Sequence, residues 1–122
     1  MRKLFERVLG LPHMTRIFFS PAALRKLESI HDYITNTLHQ PQAAQSVVAG
    51  ILDRLDILKL NPDIGPKISS RIDNVPERFK NTRLLVCGKY IALYDHIGNA
   101  VQILIIYHGR EDVYGRFFSE ID

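Results

Sequence analysis

The sequence predicts an α+β domain in which an N-terminal αα-hairpin packs on one face of an antiparallel sheet, in the order β-α-α-β-β-β. Two observations predict this fold class. Between positions 24 and 58, apolar residues recur every three or four positions, as they do on one face of an amphipathic helix. Three stretches rich in β-branched residues then follow in close order, and the short glycine-containing links between them are typical of antiparallel hairpins.

The first predicted elements are a short strand and two helices. The strand is predicted at 16–19, and Ser20 and Pro21 follow it as the N-cap and the first residue of a helix. The apolar pattern continues for about five helical turns. Pro41 then interrupts it and begins a second helix, which ends near Pro62. Two helices joined by so few residues form an αα-hairpin.

The remaining strands are predicted at 82–87, 90–96 and 101–108, after an irregular stretch at 62–80 that contains several prolines. The first strand must join them, because a strand alone cannot satisfy its backbone hydrogen bonds. The elements therefore form one four-stranded sheet with the helical hairpin on one side of it.

Composition limits the classes of function. The chain has 122 residues, 46% hydrophobic and 24% charged, which is typical of one globular domain. We interpret 14–122 as that domain and 1–13 as an N-terminal extension or leader. No apolar stretch approaches the roughly 20 residues that cross a bilayer, so no membrane partner is expected. A single cysteine, Cys87, suits a reducing cytoplasm. Because the sequence has no phosphate-loop or zinc-binding pattern, we expect neither a cofactor nor a metal.

The positive charge is concentrated in the second half of the chain. Residues 64–110 contain seven Lys or Arg and three Asp or Glu, whereas the whole chain has a net charge of +3. Such a basic half suits a nucleic acid or an acidic protein as partner. The acidic last residues, 111–122, are interpreted as a tail that either covers part of the basic face or frays.

The last predicted strand is almost wholly apolar and ends on a histidine and an arginine, so its end is the first candidate for a functional site. His108 offers a titratable imidazole, and Arg110 offers a permanent cation. In an RNA-cleaving site, His108 would act as general acid or base in phosphodiester cleavage by a 2′-hydroxyl, while Arg110 holds the phosphate. We therefore select both as candidate catalytic residues.

Further cations and tyrosines lie on the neighbouring strands and their links. Alternation places Tyr90 and Tyr94 on one sheet face and Ile91 on the other, and the face away from the helices is expected to be open. On an open face, cations would hold phosphates and a tyrosine would stack on a base, although the same tyrosines also suit ordinary strand packing. The candidate residues for binding RNA or another target are Arg83, Lys89, Tyr90 and Tyr107.

Several short motifs occur in an order and a spacing that are specific when taken together. They are the Ser20-Pro21-Ala22 helix start, Asn61-Pro62-Asp63-Ile64-Gly65, the run from Arg83 to Tyr90 with Tyr94, and the ending Ile106-Tyr107-His108-Gly109-Arg110-Glu111-Asp112. In these motifs, from Arg16 to about Tyr114, the chain resembles the RelE/ParE superfamily of toxins from bacterial type II toxin–antitoxin systems. The resemblance implies the βααβββ fold and a toxin that arrests growth, as in plasmid stabilisation.

The resemblance also implies a cognate antitoxin, whose disordered segment wraps the toxin and neutralises it. A basic sheet face and two exposed helices suit an amphipathic antitoxin helix and an acidic extended segment that folds on binding. A homodimer and a hetero-oligomer with the antitoxin both stay open.

Members of this superfamily differ in their target. RelE-like members cut mRNA on the ribosome, whereas ParE-like members poison DNA gyrase. Ribonuclease members carry an arginine just after the aromatic residue of the third sheet strand, where this chain has Ile91 after Tyr90. This difference favours a ParE-like gyrase poison. His108 matches the general acid–base histidine of one ribonuclease subgroup, so a metal-independent, ribosome-dependent mRNA endonuclease (an mRNA interferase) is the alternative.

Two further alternatives belong to other classes of protein. One is an inactive homologue that acts as a binding or regulatory module. The other is an unrelated small α+β domain that binds nucleic acid, which a different strand order would favour.

Overall fold

The computed structural model describes residues 14–121, so the extension predicted at 1–13 lies outside the described residues. The elements confirm the α+β class and the βααβββ order, and a third helix follows them. Within the described residues, no helix is long and apolar enough to span a membrane. In chain order the elements are β1 (Arg16–Phe19), α1 (Pro21–Asp32), α2 (Pro41–Leu55), β2 (Arg83–Cys87), β3 (Tyr90–Ile97), β4 (Ala100–His108) and α3 (Val113–Glu120).

Local sequence sets both ends of the helical hairpin. The Ser20 hydroxyl accepts a hydrogen bond from the Ala23 N–H at 3.0 Å, and a proline occupies the first position of α1, as predicted. α1 continues into a π-helical turn at Tyr33–Thr37, and α2 begins at Pro41 and ends in a 3₁₀ turn at Asp56–Lys59. The residues that the hairpin buries towards the sheet are Ala23, Leu27, Ile30, Ile34, Ala44, Ile51, Leu55 and Leu58.

The sheet has the order β1-β4-β3-β2, and one pair of strands differs from the antiparallel prediction. β2, β3 and β4 form antiparallel hairpins, but β1 lies parallel to β4, with Arg16 opposite Ala100. The path of the helices explains this, because the Thr15 N–H donates to the Lys59 carbonyl at 2.8 Å and the hairpin thus returns the chain to the end where β1 begins. β2 therefore runs in the direction of β1, and β4, two hairpin turns later, does the same.

The second face of the sheet is covered over much of its area, so the prediction of an open face is wrong there. α3 and the irregular stretch before β2 bury their side chains against it and form a second core. Val113 and Phe117 direct α3 onto the sheet, and the Asp112 side chain caps the helix. The residues expected to form an acidic tail are therefore largely a packed helix. Phe18 and Ile97 stay exposed at the far side of this face.

A register shift between β3 and β4 decides which side chains of β4 face which core. Leu93 lies opposite Ile105 and Tyr94 lies opposite Ile103, so Leu104 is the extra residue of a bulge. Beyond the bulge, Ile106 packs in the core under the helical hairpin, whereas Ile105 and Tyr107 pack in the second core. The predicted alternation along β3 is confirmed, because Ala92 and Tyr94 pack under the hairpin while Ile91 and Leu93 face the second core.

Candidate functional site

Four of the six candidate residues meet where β3 begins and β4 ends. Tyr90 lies directly opposite His108 in the ladder, and their rings meet edge to face with centroids 5.2 Å apart. The Gly109 N–H donates to the Lys89 carbonyl at 2.8 Å, which places the β2–β3 turn beside the residues that follow β4. We refer to the group Lys89, Tyr90, His108 and Arg110 as the His108 end of the sheet.

The His108 ring is held in one orientation. Its Nδ1 accepts a hydrogen bond from the Arg110 N–H at 3.1 Å, and its own backbone N–H donates to a carboxylate oxygen of Glu111 at 3.1 Å. Because Nδ1 acts as an acceptor, the neutral ring carries its proton on Nε2. Nε2 is therefore the atom through which this half-buried histidine would donate to a substrate or a partner.

Within residues 14–121, no carboxylate neutralises the cations of the His108 end. Lys89 and Arg110 are exposed, and within residues 14–121 neither side chain has a hydrogen-bond or ion-pair partner. The neighbouring carboxylate, Glu111, instead binds Lys26 at 3.7 Å and Arg116 at 2.7 Å. This end of the sheet therefore presents positive charge that is available to an anionic partner.

Arg83, by contrast, lies at the opposite end of β2, about 13 Å away along the strand at the usual rise per residue. Its Nη1 donates to the carbonyl oxygens of Asp63 at 3.1 Å and Gly65 at 2.7 Å, and its Nε lies 3.4 Å from the Asp63 carboxylate. Only 20% of the side chain is exposed. Arg83 thus holds the loop before β2 and is not part of the His108 end.

Tyr107 is also removed from the surface. Its side chain is buried in the second core, and its hydroxyl donates to Glu120 at 2.9 Å. Burial raises the pKa of the Tyr107 phenol, and the hydrogen bond to Glu120 raises it further. Lys26 and Arg116 lie over the ring, 5.5 and 5.4 Å from its centroid. A tyrosine enclosed in this way offers no face for a base to stack on.

A groove that the sequence did not indicate opens next to the His108 end, on the α3 side of the sheet. Its volume is about 390 Å³, and its floor includes Val86 and Ile91, which lie opposite each other on β2 and β3. Alternation could have placed these two side chains on one face, but Arg71 comes from the irregular stretch and had no periodic pattern. We call this the Val86 groove; its main lining residues are Arg71, Leu84, Val86, Ile91, Val113 and Tyr114.

The described residues contain no group of three or more His, Cys, Asp or Glu side chains placed to hold a metal ion. The one cysteine, Cys87, is buried, and burial raises the pKa of its thiol to about 11. At neutral pH this thiol is protonated and packs as a small apolar side chain.

The comparisons with known proteins agree with the fold. A family model described as the ParE toxin of type II toxin–antitoxin system, parDE, matches residues 17–113. The chain is similar to a structure of the chromosomal ParDE toxin–antitoxin system from P. aeruginosa, with a TM-score of 0.63, 22% identity, and coverage of 80% of this chain and 98% of that one. It is also similar to the toxin–antitoxin complex RelBE2 from Mycobacterium tuberculosis, with a TM-score of 0.55, 17% identity, and coverage of 78% and 91%. A search of curated proteins finds no match.

Proposed function

This chain belongs to the ParE toxin family of type II toxin–antitoxin systems, and we propose that it arrests growth in the cytoplasm by poisoning DNA gyrase. One observation carries the choice of target. Two of the four residues predicted to bind RNA or another target are absent from the His108 end, because Arg83 lies at the far end of β2 and Tyr107 is buried.

The chemistry of RNA cleavage sets the requirement. Attack by a 2′-hydroxyl needs a base near that hydroxyl, an acid near the leaving oxygen and a cation that stabilises the phosphorane. The His108 end holds a single imidazole, and its Nδ1 is occupied by the Arg110 N–H. At the position where the ribonuclease members carry an arginine, the chain has Ile91, an apolar residue on the floor of the Val86 groove. This arrangement supports a toxin that binds its target without cleaving RNA.

Ribosome-dependent, metal-independent cleavage of mRNA is the second candidate, and a specific observation favours it. His108 directs its protonated Nε2 away from the Arg110 backbone, and the Lys89 and Arg110 side chains, which have no partner among the described residues, lie at the same end of the sheet. In such a site Nδ1 of His108 would be released from the Arg110 N–H, so that the imidazolium gives its Nε2 proton to the leaving oxygen and becomes a neutral ring, while the Arg110 side chain would bind the scissile phosphate. Tyr90, which packs on the His108 ring, would orient the imidazole.

We also propose a cognate antitoxin as the partner of this chain. The two structural relatives are described as a ParDE system and a RelBE2 toxin–antitoxin complex. The exposed cations of the His108 end provide the charge that an acidic antitoxin segment would neutralise. Binding there would cover the residues of either candidate activity.

The experiment is a parallel assay of the purified full chain on two reconstituted targets: gyrase acting on a plasmid, and ribosomes translating a defined mRNA. Gyrase-linked DNA breaks with intact mRNA would support the proposal. mRNA cut only in the presence of ribosomes would establish the second candidate instead. Absence of both activities, together with no growth arrest on expression without a partner, would indicate an inactive binding module.

Three variants test the proposed roles of Arg110 and His108. Arg110→Ala should weaken either activity at least tenfold, because it removes a cation that no group of residues 14–121 pairs with. Arg25→Ala is the matched control, since Arg25 is an exposed arginine of α1 without an ion-pair partner in the described chain. His108→Ala separates the candidates: it should abolish RNA cleavage by orders of magnitude, whereas gyrase poisoning should change only severalfold.

A further inference from the structure

Residues 108–111 form a tight turn at the end of β4, and this turn carries Arg110. The Glu111 N–H donates to the His108 carbonyl at 3.0 Å and closes the turn, and the Arg110 N–H donates to the His108 ring at 3.1 Å. The Gly109 N–H donates to the Lys89 carbonyl at 2.8 Å and connects the turn to the β2–β3 link. The backbone of Arg110 therefore has a defined position, although its side chain is exposed.

The Glu111 side chain folds back onto the same turn. One carboxylate oxygen, Oε2, accepts the His108 N–H at 3.1 Å, so the backbone and the side chain of Glu111 both bind His108. The other oxygen, Oε1, lies 2.7 Å from Arg116 Nη1 and 3.7 Å from Lys26 Nζ. The two oxygens thus have different partners, since the turn binds Oε2 and two cations bind Oε1.

These two cations connect the turn to two helices that are distant in sequence. Lys26 lies on α1, and Arg116 lies on α3. Both cations lie over the Tyr107 ring, and Arg116 also binds Glu120, which accepts the Tyr107 hydroxyl. The Glu111 carboxylate is therefore bound by groups that have further contacts of their own.

Such contacts stabilise the fold weakly but restrict the turn. The side chains of Lys26 and Glu111 are 24% and 26% exposed and that of Arg116 is 44% exposed, and ion pairs at such exposure add little to stability. A binding residue that already has its bound orientation loses less conformational entropy when it binds. We therefore expect the contacts of Glu111 to affect target binding more than folding.

We propose that Glu111 is a positioning residue: its carboxylate fixes the turn at 108–111 and so places Arg110 for the target, while Lys26 and Arg116 hold that carboxylate. Glu111 does not itself bind the target, because Arg110 suits an anionic group, which a carboxylate repels. That the turn acts on a target rests on the proposed function; the restriction of the turn by Glu111 does not, and it is tested separately.

Direct binding of the target by Lys26 and Arg116 fits the structure less well. Both cations are paired with carboxylates, whereas the Lys89 and Arg110 side chains have no partner within residues 14–121. The two alternatives predict opposite signs for Glu111→Ala. Release of two target-binding cations would raise the activity, whereas loss of a positioning residue lowers it.

The restriction of the turn is measured by amide hydrogen exchange of the full chain, followed by NMR. In Glu111→Ala, exchange at His108 should be about tenfold faster or more, because its N–H loses the carboxylate acceptor. Exchange at Ile103, inside β4, should change less than about twofold. Glu28→Ala is the matched control, since Glu28 is an exposed glutamate of α1 without a partner in the described chain. Unchanged exchange at His108 in Glu111→Ala would overturn the proposal.

The placement of Arg110 is tested by a double-mutant cycle in a growth-arrest assay, which assumes no particular target. Glu111→Ala should raise the amount of protein needed for arrest about fivefold or more, but less than about twofold in an Arg110→Ala background. Losses that multiply, or a gain of activity in Glu111→Ala, would overturn the proposal. The melting temperature of Glu111→Ala should fall by less than about 4 °C, so the loss of activity is not caused by unfolding.

Lys26→Met extends the test to α1, because it removes one cation from the Glu111 carboxylate and changes no residue of the turn. It should accelerate exchange at His108 and lower the activity about twofold or more. Arg25→Met is the matched control, at an exposed cation of the same helix that has no partner among the described residues. Equal effects of Lys26→Met and Arg25→Met would contradict the proposed role of Lys26.

The exchange experiment uses neither gyrase nor ribosomes, so the two proposals fail separately. A chain whose turn is loosened by Glu111→Ala but which poisons no gyrase keeps the restricted turn and loses the target. A chain that poisons gyrase equally well with and without the Glu111 carboxylate keeps the target and loses the positioning residue.

Discussion

Similar residues lie at the two ends of the β2–β3 hairpin, but their surroundings differ. At the end where β2 begins, Arg83 and His96 both contact the Asp63 carboxylate, and the Tyr94 hydroxyl binds the same loop. We call this the Asp63 end. At the His108 end, the cations Lys89 and Arg110 have no partner in the described chain.

The difference comes from what lies opposite each end. The loop at 62–65 turns its carbonyl groups and one carboxylate towards Arg83, Tyr94 and His96. The polar side chains at this end are therefore hydrogen-bonded within the domain. Beside the His108 end, the nearest carboxylate, Glu111, is bound to Lys26 and Arg116. A cation at a strand end is thus a candidate for function only where the chain leaves it without a partner.

The largest effect is expected at Gly65. A Cβ at this position would overlap the Leu84 carbonyl and meet the Tyr94 hydroxyl, and the backbone cannot retreat because Arg83 and Tyr94 both bind the loop. Gly65→Ala should lower the free energy of unfolding by about 3 kcal/mol. Urea denaturation measures the change.

Gly50→Ala is the matched control for that substitution. Gly50 lies inside α2 with open space where a Cβ would be placed, so alanine should raise the free energy of unfolding by roughly 0.5–1 kcal/mol. Two Gly→Ala changes with opposite signs would confirm that the loop of the Asp63 end is tightly packed. Equal effects would show that it is not.

The next effect concerns the buried hydroxyl of the Asp63 end. Tyr94 accepts the Gly65 N–H at 3.0 Å and donates to the Pro62 carbonyl at 2.8 Å. Tyr94→Phe removes both bonds and leaves two backbone groups unsatisfied, which should cost about 2 kcal/mol. Tyr33→Phe, at a side chain that is 57% exposed, should change the free energy of unfolding by less than about 0.5 kcal/mol.

Much of the fold could be predicted from sequence because its determinants are local. Proline and serine mark the start of α1, and glycine-containing links mark the hairpins of β2 with β3 and of β3 with β4. The same reasoning placed Lys89, Tyr90, His108 and Arg110 within one sheet and at its ends, although it placed Arg83 and Tyr107 with them. In this part of the molecule, strands that are neighbours in the sheet are connected by short turns, so their antiparallel pairing can be predicted from the sequence.

Other features depend on contacts between distant residues. The parallel pairing of β1 follows from where α2 returns the chain, and the partners of Arg83 come from an irregular loop without periodicity. The position of Tyr107 in the second core follows from the bulge at Leu104, which an uninterrupted apolar strand does not indicate. α3 was missed because only Val113 and Phe117 mark its buried face.

The two arginines among the candidate residues, Arg110 for catalysis and Arg83 for target binding, should differ in their effects on stability. Arg83→Ala removes two hydrogen bonds to loop carbonyls and should lower the free energy of unfolding by about 1 kcal/mol. Arg110→Ala should change it by less than about 0.5 kcal/mol, while it is expected to reduce toxicity. Thermal unfolding of both variants beside a growth assay gives the comparison. If Arg110→Ala were the more destabilising of the two, the contrast between the ends would be wrong.

The smallest expected effect is a dependence of stability on acidic pH, which only the Asp63 end should show. The hydrogen bond from His96 Nδ1, 2.7 Å from the carboxylate, lowers the pKa of Asp63 below its usual value of 3.8, with Arg83 and Lys67 adding attraction. At the Asp63 carboxylate, the folded chain therefore binds a proton less readily than the unfolded chain. The contribution of this carboxylate to the free energy of unfolding is thus complete above about pH 4. It disappears as the pH falls through the lowered pKa.

Asp63→Asn should accordingly lower the melting temperature at pH 6 and do so less as the pH falls below about 4. The shift should be small, because 58% of the Asp63 side chain is exposed and solvent weakens the interaction. Asp73→Asn is the matched control, at a carboxylate that has no partner within the described chain. A melting temperature that fell equally for both variants at every pH would mean that the His96–Asp63 contact adds nothing specific. The Asp63 end would then depend on Gly65, Tyr94 and Arg83 alone.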